Sequence, residues 1–176
     1  MNRRPNILFI ILDDLSYGDL SLHGNPHCRT PELDALAGSG TRLERYGSGP
    51  ICTPARAALM TGRHPYRTGV TDAYLGRSMI HPSERTLAQV LAGAGYHCGL
   101  FGKWHLGDCF PMRPQDLGFH KVIMHRGGGL RQPGCFGNGS YFDPVLEEDG
   151  RTRLFHGYCT DIFFEEGMRF IDEAAG

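Results

Sequence analysis

The chemistry of this chain centres on a thiol and a guanidinium that lie within one helical turn of each other. Cys52 stands just ahead of Pro54, and residues 55–60 are good helix formers, so Pro54 suits the first turn of a helix. A helix N-terminus favours negative charge, and an oxyanion would bind there beside Cys52. Arg56 can lie on the same face and aim its planar fork at that anion. The spacing therefore predicts a nucleophile, an anion and an arginine gathered at one helix end.

Two adjacent carboxylates, Asp13 and Asp14, follow a continuous apolar run at residues 7–12. A run without helical gaps predicts a strand buried on both faces of a parallel sheet. Ligands of open α/β sheets collect beyond the carboxyl ends of such strands. Adjacent carboxylates repel each other unless a cation lies between them, and their hard oxygens favour Ca²⁺ or Mg²⁺. From the residues alone, a metal site and a solvated Asp-Asp turn are about equally supported.

A basic pair, Lys103 and His105, follows a second apolar segment. Ser83 is predicted to cap a helix that ends at Gly95, and residues 96–101 predict another buried strand. This step from helix to strand is typical of a doubly wound α/β fold. Because the strand leads directly into the basic pair, we expect the pair at the same sheet edge as the two carboxylates.

Two other anion-binding motifs are excluded by spacing. A phosphate-binding P-loop would require Gly at position 97 and Ser or Thr at position 104, where the chain has His97 and Trp104. A thiol phosphatase would require the pattern Cys-x5-Arg, and Ala58 occupies the arginine position of that pattern.

The remaining elements are predicted from caps, turns and periodicity. They are a helix from Pro31 capped by Thr30, a short strand at residues 122–124, a flexible glycine turn at residues 127–129, a hairpin of residues 141–146 and 151–155, and a last helix capped by Thr160. The stretch before the hairpin is rich in Gly and Pro, and long irregular loops often line binding sites. We therefore expect this stretch to take part in substrate recognition.

Length and charge restrict the possible classes of protein. We expect a single domain over residues 1–176, which is long enough for one core. Lys and Arg number 18 against 19 acidic residues, and the net charge of -1 disfavours nucleic acid or an anionic membrane as a partner. The apolar run near the start is too short for a signal peptide or a membrane span, so the chain as written is expected in the cytoplasm. An upstream leader would instead direct it to the periplasm or out of the cell.

The spacing Cys-x-Pro-x-Arg, followed by Thr61 and Gly62, resembles the signature of the formylglycine-dependent sulfatases. In that family the cysteine is oxidised after translation to an aldehyde. The match runs without a gap over residues 50–62. The other interpretation of Cys52 is a buried structural thiol, since free cysteine is among the most buried residue types. Agreement at all of these positions favours the sulfatase signature.

Two further segments resemble the same family. Residues 95–105, which end in the basic pair, resemble the second sulfatase signature, and Cys98 departs from it because Ser or Thr is usual there. The opening run that leads into Asp13 and Asp14 resembles the first strand of sulfatases, in which both aspartates bind the metal. That resemblance selects the metal site over the solvated turn.

The resemblance implies the fold of the alkaline phosphatase superfamily. This is an α/β fold with a mostly parallel sheet between helices, and we expect the chain to hold only its amino-terminal part, incomplete at the C-terminus. The implied metal ligands, for Ca²⁺ or Mg²⁺, are Asp13, Asp14 and Cys52. The implied catalytic residues are Cys52, Arg56, Lys103 and His105, of which Lys103 would bind the sulfate and His105 would contact the hydrated aldehyde.

The implied activity is hydrolysis of sulfate esters by an arylsulfatase-type enzyme that needs a formylglycine-generating enzyme as a partner. A hydroxyl of the hydrated aldehyde attacks sulfur, the alcohol leaves, and the aldehyde re-forms as sulfate is expelled. The family's second active-site His, its Asp-Asn pair and its second Lys have no counterpart here, so we expect little or no turnover from this chain alone. Two alternatives stay open: a phosphonate or phosphate monoester hydrolase of the same superfamily, and a non-catalytic truncated product.

Overall fold

The central element of the structure is a four-stranded mixed sheet in the carboxyl-terminal part of the chain. This computed structural model describes residues 4–74, 78–132 and 137–175. Contacts divide the chain into an amino-terminal unit, Met1–Ser48, and a carboxyl-terminal unit, Gly49–Gly176. The single domain expected over the whole chain stays a prediction.

The amino-terminal unit contains helix α1 (Pro31–Ser39) and two single turns of 3-10 helix. Thr30 is the N-cap residue and Pro31 is the first residue of the helix, which confirms the predicted start. Asp34 joins α1 to the preceding segment, because its carboxylate accepts hydrogen bonds from Ser21 Oγ at 2.7 Å and from Thr30 Oγ1 at 3.1 Å.

Residues 7–12 form no strand in the structure, so this prediction is wrong. All of their apolar side chains except Ile11 are exposed, with Leu8 at 72% and Phe9 at 51%, and no described strand pairs with them. A strand is held by hydrogen bonds to a neighbouring strand and by packing of its side chains. Apolar composition alone supplies neither, and the segment has no paired neighbour among the described residues.

The carboxyl-terminal unit begins with three helices. They are α2 (Cys52–Thr61), α3 (Pro65–Thr68) and α4 (Leu87–Gly93). The predicted cap of α4 is wrong, because the N-cap residue is Thr86 and not Ser83. Thr86 Oγ1 accepts a hydrogen bond from the Gln89 N–H at 3.1 Å, and Gln89 Oε1 accepts one from the Thr86 N–H at 3.0 Å. This reciprocal pair satisfies donors that a helix start otherwise leaves without partners.

The sheet has the strand order β1-β2-β3-β4. Strands β1 (Gly99–Lys103) and β2 (Lys121–His125) pair in parallel. Strand β3 (Val145–Glu148) pairs antiparallel with both β2 and β4 (Arg151–Leu154). The predicted α/β class is confirmed. Among the described strands one pairing is parallel and two are antiparallel, so this sheet is mixed where a mostly parallel one was expected.

Strand β2 runs through the core, because Val122, Ile123 and Met124 are all fully buried. Successive side chains of a strand point to opposite faces, so burial of these three consecutive residues means that both faces of β2 are covered. The turn between β3 and β4 is made by Asp149 and Gly150, with φ of 48° and 88°. Positive φ at both positions is what a two-residue hairpin turn requires. The predicted hairpin is confirmed, but its first strand is Val145–Glu148 and not residues 141–146.

Helix α5 (Cys159–Ala175) packs against β1 and begins one residue before the predicted cap, Thr160. Ile162 is only 4% exposed, and the Phe170 ring lies 5.6 Å from the Phe101 ring of β1. A second set of apolar side chains on the same helix is about half exposed: Phe164, Met168 and Ile171. The helix therefore buries one apolar stripe and leaves the other in solvent.

Within the described residues, no helix combines the length and the apolar character needed to cross a membrane.

Candidate active site

Helix α2 places Cys52 at a helix N-terminus. The helix begins at Cys52 itself, with Ile51 as an extended N-cap residue, and its C-cap residue is Gly62, whose φ is 65°. Pro54 is the third helical residue instead of the predicted first, still a position whose N–H has no partner within a helix. Cys52 is a half-buried free thiol. It lies where the backbone N–H groups and the helix dipole favour negative charge.

Arg56 connects this helix to the end of strand β1. Its Nη1 donates a hydrogen bond to the backbone carbonyl of Lys103 at 2.7 Å, and the residue is only 7% exposed. Lys103 is the last residue of β1 and lies opposite His125 in the parallel ladder. The bond therefore sets the first turns of α2 beside the residues that follow β1.

His105 contacts the thiol directly. Its Nδ1 lies 3.4 Å from Cys52 Sγ and 3.2 Å from Thr53 Oγ1. A neutral imidazole has one N–H donor and one acceptor nitrogen. Cys52 Sγ contacts Nδ1, whereas Thr53 Oγ1 also lies 3.4 Å from Nε2. The arrangement can exchange a proton between His105 and a group on residue 52.

The backbone of His105 is held in an unusual conformation. Its φ is 58°, a left-handed value that costs a non-glycine residue about 1–3 kcal/mol. The residues on either side are firmly anchored. Trp104 is 2% exposed and donates from Nε1 to the Met112 carbonyl at 2.9 Å, and the carbonyl of the fully buried Leu106 accepts from the Ile80 N–H at 2.9 Å. These contacts hold His105 in a strained conformation beside Cys52.

Gly128 approaches the His105 ring so closely that a side chain would not fit. A Cβ built at position 128 would lie 2.8 Å from His105 Cε1 and 2.2 Å from Gln132 Oε1. The segment expected to be a flexible turn is thus packed against a site residue. Among its neighbours, Gly129 has ample room, since a Cβ there would meet nothing closer than 3.9 Å.

Asp108 anchors this glycine turn. Its carboxylate accepts a hydrogen bond from the Gly127 N–H at 3.2 Å. Burial raises the pKa of Asp108 above its usual value, and Glu147 adds to the rise, while the Gly127 bond and the positive charge of Arg126 oppose it. The site therefore has a carboxyl group that resists ionisation next to the turn that faces His105.

Sequence reasoning missed two residues of this arrangement, Thr53 and Gly128. Thr53 is fully buried, and its hydroxyl faces His105. The signal for Thr53 was a hydroxyl residue directly after Cys52 at a helix start. The signal for Gly128 was the run of three glycines at residues 127–129.

The structure brings four of the predicted site residues together, all in the carboxyl-terminal unit. They are Cys52, Arg56, Lys103 and His105, joined by the Cys52–His105 contact and the Arg56–Lys103 bond. The chemical role of each stays a prediction.

Asp13 and Asp14 lie in an exposed turn of the amino-terminal unit, and Asp14 has a φ of 58°. Two adjacent carboxylates supply the hard oxygen donors that suit Ca²⁺ or Mg²⁺. Within residues 4–74, 78–132 and 137–175, no three side chains of His, Cys, Asp or Glu come close enough together to hold a metal ion. A metal shared by the two aspartates and Cys52 stays a prediction.

Comparison with curated proteins points to one family. A family model described as Sulfatase matches residues 5–176. Steryl-sulfatase from Mus musculus is 41% identical over 161 residues, which cover 82% of this chain and 25% of that protein. Arylsulfatase A from Bos taurus is 44% identical over 142 residues, which cover 75% of this chain and 28% of that protein. The chain thus spans about a quarter of the length of these relatives.

Comparison with solved structures agrees. The crystal structure of Ps i-CgsB superimposes with a TM-score of 0.85 and 30% identity, over 98% of this chain and 42% of that one. The α/β architecture is therefore part of the alkaline-phosphatase-like fold expected from the resemblance. With a family model that matches residues 5–176, the chain belongs to the sulfatase family.

Proposed function

We propose that this chain carries the nucleophile of a sulfuric ester hydrolase of the arylsulfatase type, after Cys52 has been converted to formylglycine. The observation that supports it best is the 3.4 Å contact between Cys52 Sγ and His105 Nδ1 at the N-terminus of α2. A histidine in contact with the reacting side chain, beside a helix end that favours anions, suits hydrolysis of an anionic ester.

Each of the residues around position 52 has its own role in the proposed reaction. The α2 N-terminus and Lys103 bind the sulfate oxygens, and Lys103 neutralises negative charge as it shifts onto them in the transition state. His105 orients the nucleophilic side chain and holds or releases a proton at Nδ1. Arg56 places a buried positive charge one turn from residue 52 and fixes the end of β1 through its bond to the Lys103 carbonyl.

Two groups complete the chemistry. Formylglycine supplies a hydrated aldehyde hydroxyl as nucleophile, and a divalent cation, Ca²⁺ or Mg²⁺, supplies a Lewis acid. The residues that would hold the cation are Asp13, Asp14 and the modified residue 52. The carboxylate oxygens of the two aspartates suit either ion. The partner that makes formylglycine would be a formylglycine-generating enzyme.

The substrate class is a sulfate ester. Relatives of this chain are named as steryl-sulfatase and arylsulfatase A, so the ester alcohol of those proteins is a sterol or an aryl alcohol. Both names share the sulfate ester, and it is this shared group that the helix end, Lys103 and His105 are suited to bind.

The test is conversion of Cys52. The chain is produced together with a formylglycine-generating enzyme, and the mass of the tryptic peptide of residues 46–56 is measured by mass spectrometry. Formylglycine replaces one sulfur and two hydrogens of the peptide with one oxygen, and the product reacts with an aldehyde-specific hydrazide. The Cys52→Ala variant serves as the control and stays unlabelled. An unmodified thiol in the co-produced chain contradicts the proposal.

A further inference from the structure

We propose that Gln132 is a specificity-determining residue whose side-chain amide binds a hydroxyl group of the ester's alcohol, and that this alcohol is a sugar. The proposal deepens the proposed function and rests on it for the position of the sulfate. It also gives a role in substrate recognition to the glycine turn at residues 127–129 and to the residues that follow it.

The side chain of Gln132 lies beside His105. A Cβ built at Gly128 would be 2.2 Å from Gln132 Oε1 and 2.8 Å from His105 Cε1. Both atoms lie that close to one point, so they are at most 5.0 Å apart, the total of the two distances. The lack of a side chain at Gly128 therefore leaves the space in which the Gln132 amide approaches the imidazole.

The backbone at Gln132 is anchored, although the residue itself is exposed. Leu130, two residues earlier, is 2% exposed and packs into the hydrophobic core. The Gln132 N–H donates a hydrogen bond to the Gly129 carbonyl at 3.0 Å. The turn thus presents a polar side chain to solvent next to a residue of the site, and loops held by a folded scaffold often carry binding residues.

The hydroxyl group of Tyr141 lies near the next glycine of the same turn. A Cβ built at Gly129 would be 3.9 Å from Tyr141 Oη and 3.9 Å from Gln132 Cδ, so these two atoms are at most 7.8 Å apart. Tyr141 is 44% exposed, and its carbonyl accepts a hydrogen bond from the Cys159 N–H at 2.8 Å. An amide, a phenol hydroxyl and part of an aromatic ring are therefore available to a ligand at one turn.

These groups suit a hydroxylated alcohol better than an apolar one. An ester held by its sulfate at residue 52 places its alcohol near His105, because His105 contacts that residue. An amide and a phenol hydroxyl each donate and accept hydrogen bonds. A sugar offers hydroxyl groups to both and C–H bonds to the Tyr141 ring. A sterol would displace water from the same polar groups without replacing its hydrogen bonds, which costs affinity.

The experiment measures binding by the unmodified chain, so it needs neither formylglycine nor turnover. The side-chain amide signals of ¹⁵N-labelled protein are followed by NMR during titration with glucose-6-sulfate, nitrophenyl sulfate or inorganic sulfate. The Gln132→Met variant identifies the Gln132 signal. We expect glucose-6-sulfate to shift this signal and inorganic sulfate to leave it in place. We also expect glucose-6-sulfate to bind about fivefold more tightly than nitrophenyl sulfate, the effect of one ordinary hydrogen bond.

The same variant tests the amide directly. Gln132→Met keeps the length of the side chain and removes both of its hydrogen-bonding groups. We expect it to weaken binding of glucose-6-sulfate about fivefold and to leave the dissociation constant of inorganic sulfate unchanged. An unchanged affinity for glucose-6-sulfate, or an equal loss for both ligands, overturns the proposal.

The wild-type titrations decide the matter if Gln132→Met does not fold. A Gln132 signal that glucose-6-sulfate leaves unmoved, or tighter binding of nitrophenyl sulfate than of glucose-6-sulfate, overturns the proposal. Conversion of Cys52 is measured independently, and inorganic sulfate tests the anion site without any alcohol. Failure of the specificity role and failure of the proposed function are therefore distinguishable.

Discussion

The Arg56 guanidinium donates a hydrogen bond to the Lys103 carbonyl across 2.7 Å and thereby links the thiol helix to the strand that delivers His105. Arg56 is only 7% exposed. Water therefore could not easily take the place of the guanidinium as the hydrogen-bond donor to the Lys103 carbonyl. The distance between Cys52 and His105 depends on this link, since the two residues belong to different elements.

Replacing Arg56 with lysine should remove this link. The ammonium group of lysine presents its donors differently from the planar fork and cannot reproduce the guanidinium geometry. We expect Arg56→Lys to lower the free energy of unfolding by about 1.5–3 kcal/mol, the range for hydrogen bonds to charged groups. Urea denaturation measures this free energy of unfolding. Arg67→Lys, at an exposed arginine of α3, is the control and should change stability by less than about 0.5 kcal/mol.

Gly128 and its neighbour Gly129 offer a matched pair of substitutions. An alanine Cβ at position 128 would press on His105 Cε1 at 2.8 Å, whereas one at position 129 would meet only ordinary contacts. The nearby Gln132 amide can rotate away, but the His105 ring is attached to an anchored backbone. We expect Gly128→Ala to lower the free energy of unfolding by about 1–3 kcal/mol. Gly129→Ala should lie within about 0.5 kcal/mol of wild type, and equal effects of the two variants would contradict the close approach.

Features that depend on neighbouring residues could be predicted from the sequence. Helix α2 follows from Pro54 and the helix formers behind it, and the hairpin turn follows from the Asp149-Gly150 pair. Lys103 at the end of a strand follows from the apolar run before it. In each case a few adjacent residues determine the backbone conformation.

Features that depend on distant contacts could not be predicted in this way. The run at residues 7–12 has the composition of a buried strand, but a strand also needs a neighbour to pair with. Thr53 meets His105 across a separation of 52 residues, and a hydroxyl residue directly after Cys52 does not indicate which distant residue it contacts. The left-handed conformation of His105 likewise depends on the anchoring of Trp104 and Leu106.

The cap of α4 can be tested where prediction and structure disagree. Thr86 is fully buried, and its hydroxyl accepts from the Gln89 N–H and donates to the Leu117 carbonyl at 2.6 Å. Thr86→Ala should therefore cost about 1–3 kcal/mol of unfolding free energy, since it removes a cap and leaves a buried carbonyl without its donor. Ser83, the predicted cap, is exposed, and its hydroxyl lies 2.7 Å from His81 Nδ1. Ser83→Ala should change the melting temperature little, and a larger effect from Ser83 than from Thr86 would refute this assignment.

Asp108 and Asp116 should respond to pH in opposite directions. Burial raises the pKa of Asp108, so this carboxyl takes up a proton at a higher pH in the folded protein than in the unfolded protein. The charged carboxylate then lowers stability at neutral pH, and this cost disappears as the pH falls through the folded pKa. The Arg113 guanidinium hydrogen-bonds Asp116 and lowers the pKa of that carboxyl, so its contribution to stability is present at neutral pH and is lost as the pH falls.

Asparagine at each position should reveal the difference. Relative to wild type, Asp108→Asn should be more stable at pH 7, because the amide removes the buried charge and its oxygen can still accept from Gly127. That advantage should shrink as the pH falls toward about 4. Asp116→Asn should be less stable than wild type at pH 7, and this deficit should shrink over more acidic pH. Melting temperatures at pH 4 to 8 measure both differences. An Asp108→Asn variant less stable than wild type at pH 7 would contradict the effect of burial on Asp108, and an Asp116→Asn variant more stable than wild type would contradict the Arg113–Asp116 pairing.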